Sequence, residues 1–280
     1  TDYGLSRQVQ QLDHFLSHDW KTSRWQKYLT MLLIFNLQPA LIISSIVSVI
    51  VAIIACFTVG KHQLWTAVFG YAAFAFTLFY WQAMRELMMR PTLVFLDKLC
   101  IAQHDPDLKE KGILGLASFL LNSNSLTIFW SPRYFTRLWC TYEIATYFKD
   151  DQQKRLDLMP VALSTQIFLA GVVAHTLTWS FKMLVSLVWD VVSHADAIII
   201  VSSVLVPTFS VLCVLQVYIG IGLLKDLAAL PEQLSSFKVK DSECFCCSVD
   251  HVLPETGEAI PCDRKVVFQT LKTWYGKEGG

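Results

Sequence analysis

The stretch "SPRYFTRLWCTYE", residues 131–143, is rich in reactive and hydrogen-bonding side chains, among them Ser131, Tyr134, Trp139, Cys140 and Glu143. The stretch follows an apolar run, "SLTIFW", and opens an amphipathic one in which Cys140, Ile144, Tyr147 and Phe148 recur at helical spacing. A lone carboxylate at the mouth of a helix has two uses. Facing solvent, it complements the helix dipole, worth about 0.3–1 kcal/mol. Facing inward, a charge about 4 Å from a developing cation, at an effective dielectric near 20, interacts by about 4 kcal/mol. Gained only in the transition state, that is roughly a thousandfold in rate.

A second group of chemically competent residues lies near the C-terminus, in "CFCCSVDH" and "IPC": Cys244, Cys246, Cys247, His251 and Cys262. Cys244 and Cys247 form a C-x-x-C, the common half-site for zinc. Cys262 with either His251 or Cys246 could complete a tetrahedral set. The alternative is a palmitoylated or merely buried cysteine cluster. Cys56 and Cys213 fall in apolar runs and read as packing residues. P-loop, G-x-G-x-x-G and G-x-S-x-G motifs are absent, as is a recognisable Ser-His-Asp arrangement.

The elements that must position these residues are unusual. The chain of 280 residues is 54% hydrophobic and 16% charged, against about 25% charged in soluble domains. Four stretches lack Asp, Glu, Lys and Arg: Leu37 to Gly60, His62 to Met84, Leu158 to Phe181 and Ala197 to Leu224. A bilayer span needs about 20 apolar residues, so these predict four spans in two hairpins and make the lipid bilayer the first partner. Between the paired spans lie only Lys61 and Lys182 of the 23 Lys and Arg. Cytoplasmic flanks collect Lys and Arg, which predicts an integral membrane protein with its polar parts and both termini cytosolic. Net charge is zero, so nothing suggests nucleic acid. The four charge-free runs carry no acidic or basic residue of the kind that marks ion pathways, which weighs against a channel or transporter. His175 and Gln216 are the polar residues such a path would use.

The polar parts read as pieces of one α/β unit. "HFLSHDW" (14–20) resembles the end of a strand, and "TLVFLDKLCI" (92–101) a buried parallel strand. Pro106 between two aspartates marks a loop into a helix over 108–122, followed by a strand over 125–130. Residues 155–163 and 235–240 read as further strands, 255–260 as a hairpin turn and 263–276 as a closing helix. Alternating strands and helices imply a parallel sheet, with ligands bound outside the strands' carboxyl ends. Asp19, Asp97 and Ser131 lie at such ends. The expected organisation is 1–36 and 85–160 as parts of one domain, 37–84 and 161–224 as membrane hairpins, and 225–280 as a Cys-rich tail completing the domain.

"FLSHDW", "VFLDKLCI" and "NSNSLTIFWSPRYFTRLWCTYEI" resemble the TIR (Toll/interleukin-1 receptor) domain family, over roughly 13–20 and 91–150. That family has strands of the FLS, VF-D and Ser-Pro-x-Tyr types, then a helix opening with Trp-Cys-x-x-Glu. This chain departs from the pattern at Arg137, in lacking Gly in the loop after the second strand, and in carrying spans within the first helix. The resemblance implies a flavodoxin-like parallel sheet of TIR type, split by two transmembrane hairpins. It implies a signal-transduction role with self-association through the TIR-like unit. In TIR enzymes, which are hydrolases, the bond cleaved joins nicotinamide to ribose in NAD. Glu143 matches their catalytic glutamate, while Ser17, Asp19, Trp20, Asp97, Leu99, Ser131, Tyr134, Trp139 and Cys140 would line the NAD pocket. Many TIR domains instead act only as docking surfaces, so a non-enzymatic membrane-anchored scaffold is the alternative.

Overall fold

The computed structural model describes residues 2–57, 63–102, 105–149, 154–188, 192–236, 238–252, 254 and 257–276. The chain is mixed α/β. Four strands, β1 (Leu12–His18), β2 (Val94–Phe95), β3 (Ser123–Trp130) and β4 (Arg155–Pro160), form one sheet in the order β2-β1-β3-β4. β1 runs parallel to both β2 and β3, with His14 opposite Val94 and Ser125, and His18 opposite Phe129. β3 is buried along its length except at Asn124, which explains its near-continuous run of apolar and small residues: a central parallel strand has no wet face. Phe95 links the layers, stacking on Phe15 at 4.6 Å and on Phe119 at 4.7 Å.

Two units divide the chain, Thr1–Met159 with Phe237–Gly280, and Pro160–Ser236. The first holds the sheet, helices α1 (Arg24–Phe57), α2 (Gln63–Met88), α3 (Asp97–Cys100), α4 (Pro106–Leu114), α5 (Leu116–Leu121) and α6 (Leu138–Tyr147), and the tail. The second is the pair α7 (Val161–Val188) and α8 (His194–Ser236).

Four helices are long and apolar enough to cross a membrane: Arg24–Phe57, Trp65–Met88, Val161–Val185 and Ile198–Ser235. Their large apolar side chains stay outward: Leu41, Ile42, Ile46, Val49, Ile50 and Ile53 of α1 are all exposed. A soluble monomer rarely tolerates so large an apolar patch; a bilayer covers it. The outer ends of the first two expected spans, Gly60 and His62, lie outside the described residues.

α1 runs unbroken through the expected boundary at residue 36. Its first half buries Thr30, Leu32, Leu33, Asn36 and Ala40 against the protein, and no residue of its second half is buried. One helix therefore packs on the sheet, where Phe35 meets the His14 ring edge-on at 5.1 Å, and continues as a stretch apolar enough to cross a membrane. Pro39 lacks an N–H and leaves the carbonyl of Phe35 without its helical donor. Gln82 Nε2 on α2 donates to that carbonyl at 3.4 Å and to Asn36 Oδ1 at 2.8 Å, while Asn36 Nδ2 donates to the Leu78 carbonyl at 2.8 Å. These bonds satisfy polar groups for which lipid offers no partner.

Four elements differ from the pattern expected of the sequence. The strand over 92–101 shrinks to two residues, because Asp97 opens the turn of α3 with its carboxylate on the Lys98 amide at 2.6 Å. The helix over 108–122 becomes α4 and α5, broken at Gly115, whose conformation caps one and opens the other. α4 itself starts at 106, earlier than expected, because Asp105 accepts from the amides of Asp107 and Leu108 and Pro106 occupies the first turn. Residues 235–240 form no strand among the described residues: α8 runs through Ser236 and Val239–Asp241 is a 3-10 turn. The tail touches the sheet unit elsewhere, through a parallel bridge between Arg137 and Glu243. β4 ends at Pro160, short of residue 163, because Val161 already begins α7. The turn expected at 255–260 lies partly outside the described residues; Val252 and Ala259 pair antiparallel across it.

Candidate functional site

The carboxyl ends of β1, β2 and β3 bring together residues far apart in the chain. Ser17, near the end of β1, places its hydroxyl 2.5 Å from Tyr134 OH and donates to Glu143 Oε2. Tyr134 is held there by the tight turn after β3, its amide bonded to the Ser131 carbonyl at 2.9 Å. Glu143 projects from the middle of α6, where Cys140 reaches the His18 carbonyl and Tyr147 the carbonyls of Asn124 and Arg155, anchoring the helix on the sheet. Burial pushes the Glu143 carboxyl up to about 8; the Ser17 hydrogen bond opposes the rise and the charge of Asp97 adds to it. Burial also pushes the Tyr134 hydroxyl and the Cys140 thiol well above their usual ranges, with the Glu143 charge adding to both. Cys140, with its sulfur 3.7 Å from the His18 carbonyl, is a packing thiol in this setting.

A second group flanks this one. Trp20 Nε1 donates to Asp97 Oδ2 at 2.6 Å, and His18 Nε2 lies 4.0 Å from Asp97 Oδ1. Desolvation lowers the His18 pKa, and Asp97 partly restores it. Asp19 is buried and faces Arg137 Nε at 3.7 Å. Trp20 is 65% exposed, a large aromatic surface at the mouth of the site. Ser131 is buried and its hydroxyl has no partner among the described residues. Leu99 sits half-buried on α3, and Trp139 turns its indole N–H to Asp263 Oδ2 at 3.1 Å, toward the tail.

His18 and Asp263 were not singled out by sequence. The signal for His18 was its place beside Asp19 at the strand end; Asp263 had none beyond opening a helix. Arg137, conspicuous as a cation in an otherwise apolar helix start, is the partner of Asp19.

The cysteine cluster forms a separate centre. α9 (Phe245–Ser248) carries Cys246 and Cys247, and Cys262 precedes α10 (Asp263–Tyr275). Single ligand atoms of Cys246, Cys247, His251 and Cys262 all lie within 4.8 Å of one another, a set that could hold a metal ion. A second set, Cys244, Cys246 and Asp263, shares one sulfur with it. Hydrogen bonds from His251 and from the Lys265 amide bring the Cys262 thiol down to about 7. Burial pushes the Cys246 and Cys247 thiols the other way, so the case for a metal rests on the spacing of the four ligand atoms.

Searched against protein-family models, curated proteins and solved structures, the chain gives no match.

Proposed function

We propose that the chain is a membrane-anchored TIR-like signalling protein that cleaves NAD at the nicotinamide–ribose bond, with Glu143 as the catalytic carboxylate. The observation that carries this reading is the inward aim of Glu143 toward Ser17 and Tyr134, at the carboxyl end of a parallel sheet. Ligands in open parallel sheets bind at that end, and the strand order matches the first four positions of the doubly wound 2-1-3-4-5 arrangement. The exposed face of Trp20 offers a stacking surface for an aromatic base.

In the proposed reaction the bond from ribose C1′ to the nicotinamide nitrogen breaks, and its electron pair leaves with nicotinamide. The sugar carbon gains oxocarbenium character, as in glycoside hydrolysis. The Glu143 carboxylate stabilises that charge, and water adds to C1′ with loss of a proton, giving ADP-ribose. A carboxyl held up to about 8 is a strong acceptor for that proton. The positive charge of the nicotinamide ring favours the ionised form on binding.

Strand pairing also supports the proposed topology. β1 precedes α1 and β2 follows α2, yet the two pair in one sheet. In this reading the first hairpin leaves and returns on one face of the bilayer, and the Lys and Arg distribution supports the cytosol as that face.

The test is NAD consumption by the purified full chain in detergent. Turnover should be lost in Glu143→Ala with the circular dichroism spectrum kept. Equal background turnover by both would leave the docking scaffold as the function. That second reading has its own observation: the Glu143 carboxylate already has a partner in Ser17.

A further inference from the structure

We propose that Cys246, Cys247, His251 and Cys262 hold one zinc ion, and that this ion fastens α10 to the back of α6, the helix carrying Glu143. The zinc site does not depend on the NAD reading.

The three edges that run from Cys247 match those of a filled site, and all four ligand atoms lie within 4.8 Å of one another. Zinc takes thiolates at about 2.3 Å and imidazole nitrogen at about 2.0–2.1 Å in a tetrahedron. Those bonds imply sulfur–sulfur edges of about 3.8 Å and sulfur–nitrogen edges of about 3.6 Å. Cys247 Sγ lies 3.9 Å from Cys246 Sγ, 3.9 Å from Cys262 Sγ and 3.8 Å from His251 Nε2. Disulfides need a separation of about 2.05 Å, so these sulfurs are spaced for a shared ion.

The backbone is shaped to deliver the imidazole. Asp250 and His251 adopt φ of 50° and 61°, a left-handed conformation that costs side-chain-bearing residues energy. The turn sends the His251 ring back over α9. It is pinned on both sides, by the His251 amide on the Cys246 carbonyl at 2.8 Å and the Ile260 amide on the His251 carbonyl at 2.8 Å. The Asp263 amide donates to Cys246 Sγ at 3.3 Å, the outer-shell contact that a metal thiolate favours. Cys244 stays outside the set. Its sulfur, 3.0 Å from that of Cys246, groups with Cys246 and Asp263 and not with Cys247, His251 and Cys262.

The clamping role follows from what Asp263 joins. Its amide bonds a proposed ligand sulfur, while its Oδ2 bonds the Trp139 indole of α6. Along the same pair of helices Tyr142 stacks with Trp274 at 5.9 Å and Tyr275 OH donates to the Ala145 carbonyl at 2.6 Å. α10 has 13 residues and buries only Val267 fully. A helix that short is marginal by itself, and metal binding is a ready source of its stability.

The test uses the reduced full chain in detergent, with zinc measured by mass spectrometry and cobalt substituted to report thiolate ligation by its charge-transfer band. The expectation is one zinc per chain in the native protein and in Cys244→Ser, and loss in Cys247→Ser and Cys262→Ser. Chelation should speed hydrogen exchange in 263–275 while leaving 123–130 protected. Glu143→Ala should keep its zinc, so failure of the NAD reading leaves this one intact. Reduced native protein that neither contains zinc nor takes up cobalt would overturn the site. So would loss of metal in Cys244→Ser with retention in Cys247→Ser. Exchange in 263–275 that ignores chelation would overturn the clamp.

Discussion

The Ser17 hydroxyl donates to the Glu143 carboxylate across 126 positions of sequence. β1 and α6 share no local signal that would announce the contact; the sheet creates it. The same hydroxyl lies beside Tyr134, so one serine orients the carboxyl and the phenol together.

That bond sets a pH profile. Burial pushes the Glu143 carboxyl up to about 8, so kcat/KM for NAD, which follows the free enzyme, should rise with pH and reach half its plateau near there. Ser17→Ala removes a bond that favours the charged form and should move the midpoint to higher pH. A pH–rate series on both proteins decides it; an unchanged midpoint in Ser17→Ala would contradict the assignment.

Stability should carry the opposite sign. The folded carboxyl keeps its proton up to about 8, against 4.5 ordinarily. Its contribution is complete below the unfolded value, shrinks as pH rises and is gone above the folded one, with a slope of at most about 1.4 kcal/mol per pH unit. Thermal unfolding in detergent between those limits should fall with pH in the native protein and flatten in Glu143→Gln.

Arg137 is the cation that faces buried Asp19, at 3.7 Å. Arg137→Ala leaves a carboxylate 2% exposed without that countercharge, and breaking a buried pair costs about 3–5 kcal/mol. A clear drop in melting temperature is expected, partly recovered in the double variant with Asp19→Asn. Full additivity of the two single changes would show that the pair does not interact.

Within the first hairpin, Asn36→Ala strips partners from Gln82 and from the Leu78 carbonyl. Interhelical hydrogen bonds between spans are worth about 0.6 kcal/mol on average and up to about 1.7, so a loss of about 1 kcal/mol is expected. Unfolding titrations in mixed micelles measure it, with exposed Ser45→Ala as the neutral comparison.

Much of this protein was legible in one dimension. The four apolar helices, the buried strand over 125–130, the helix after Arg137 and the closing helix near 263 follow from composition and periodicity, which act over a single turn or strand. The cysteine cluster was equally visible, because its members are neighbours in sequence. Element ends were less so. Asp97 and Gly115 act as stops only in the company of the residues they cap, so the second strand shortens and the helix over 108–122 divides in two.

Tertiary structure decided everything that depends on parallel pairing. Parallel strands must be joined by crossovers, and here one crossover is a whole hairpin of two long apolar helices between β1 and β2. Which strand lies beside β1, and therefore that Ser17 meets Tyr134 and Glu143, depends on the sheet register and not on any nearby residue. The grouping of the cysteines also depends on the backbone path. The spacing of Cys244 and Cys247 pointed to one half-site, whereas the left-handed turn at Asp250 and His251 gathers Cys246, Cys247, His251 and Cys262. Local chemistry names the candidates, and the backbone path, set by contacts between distant segments, selects among them.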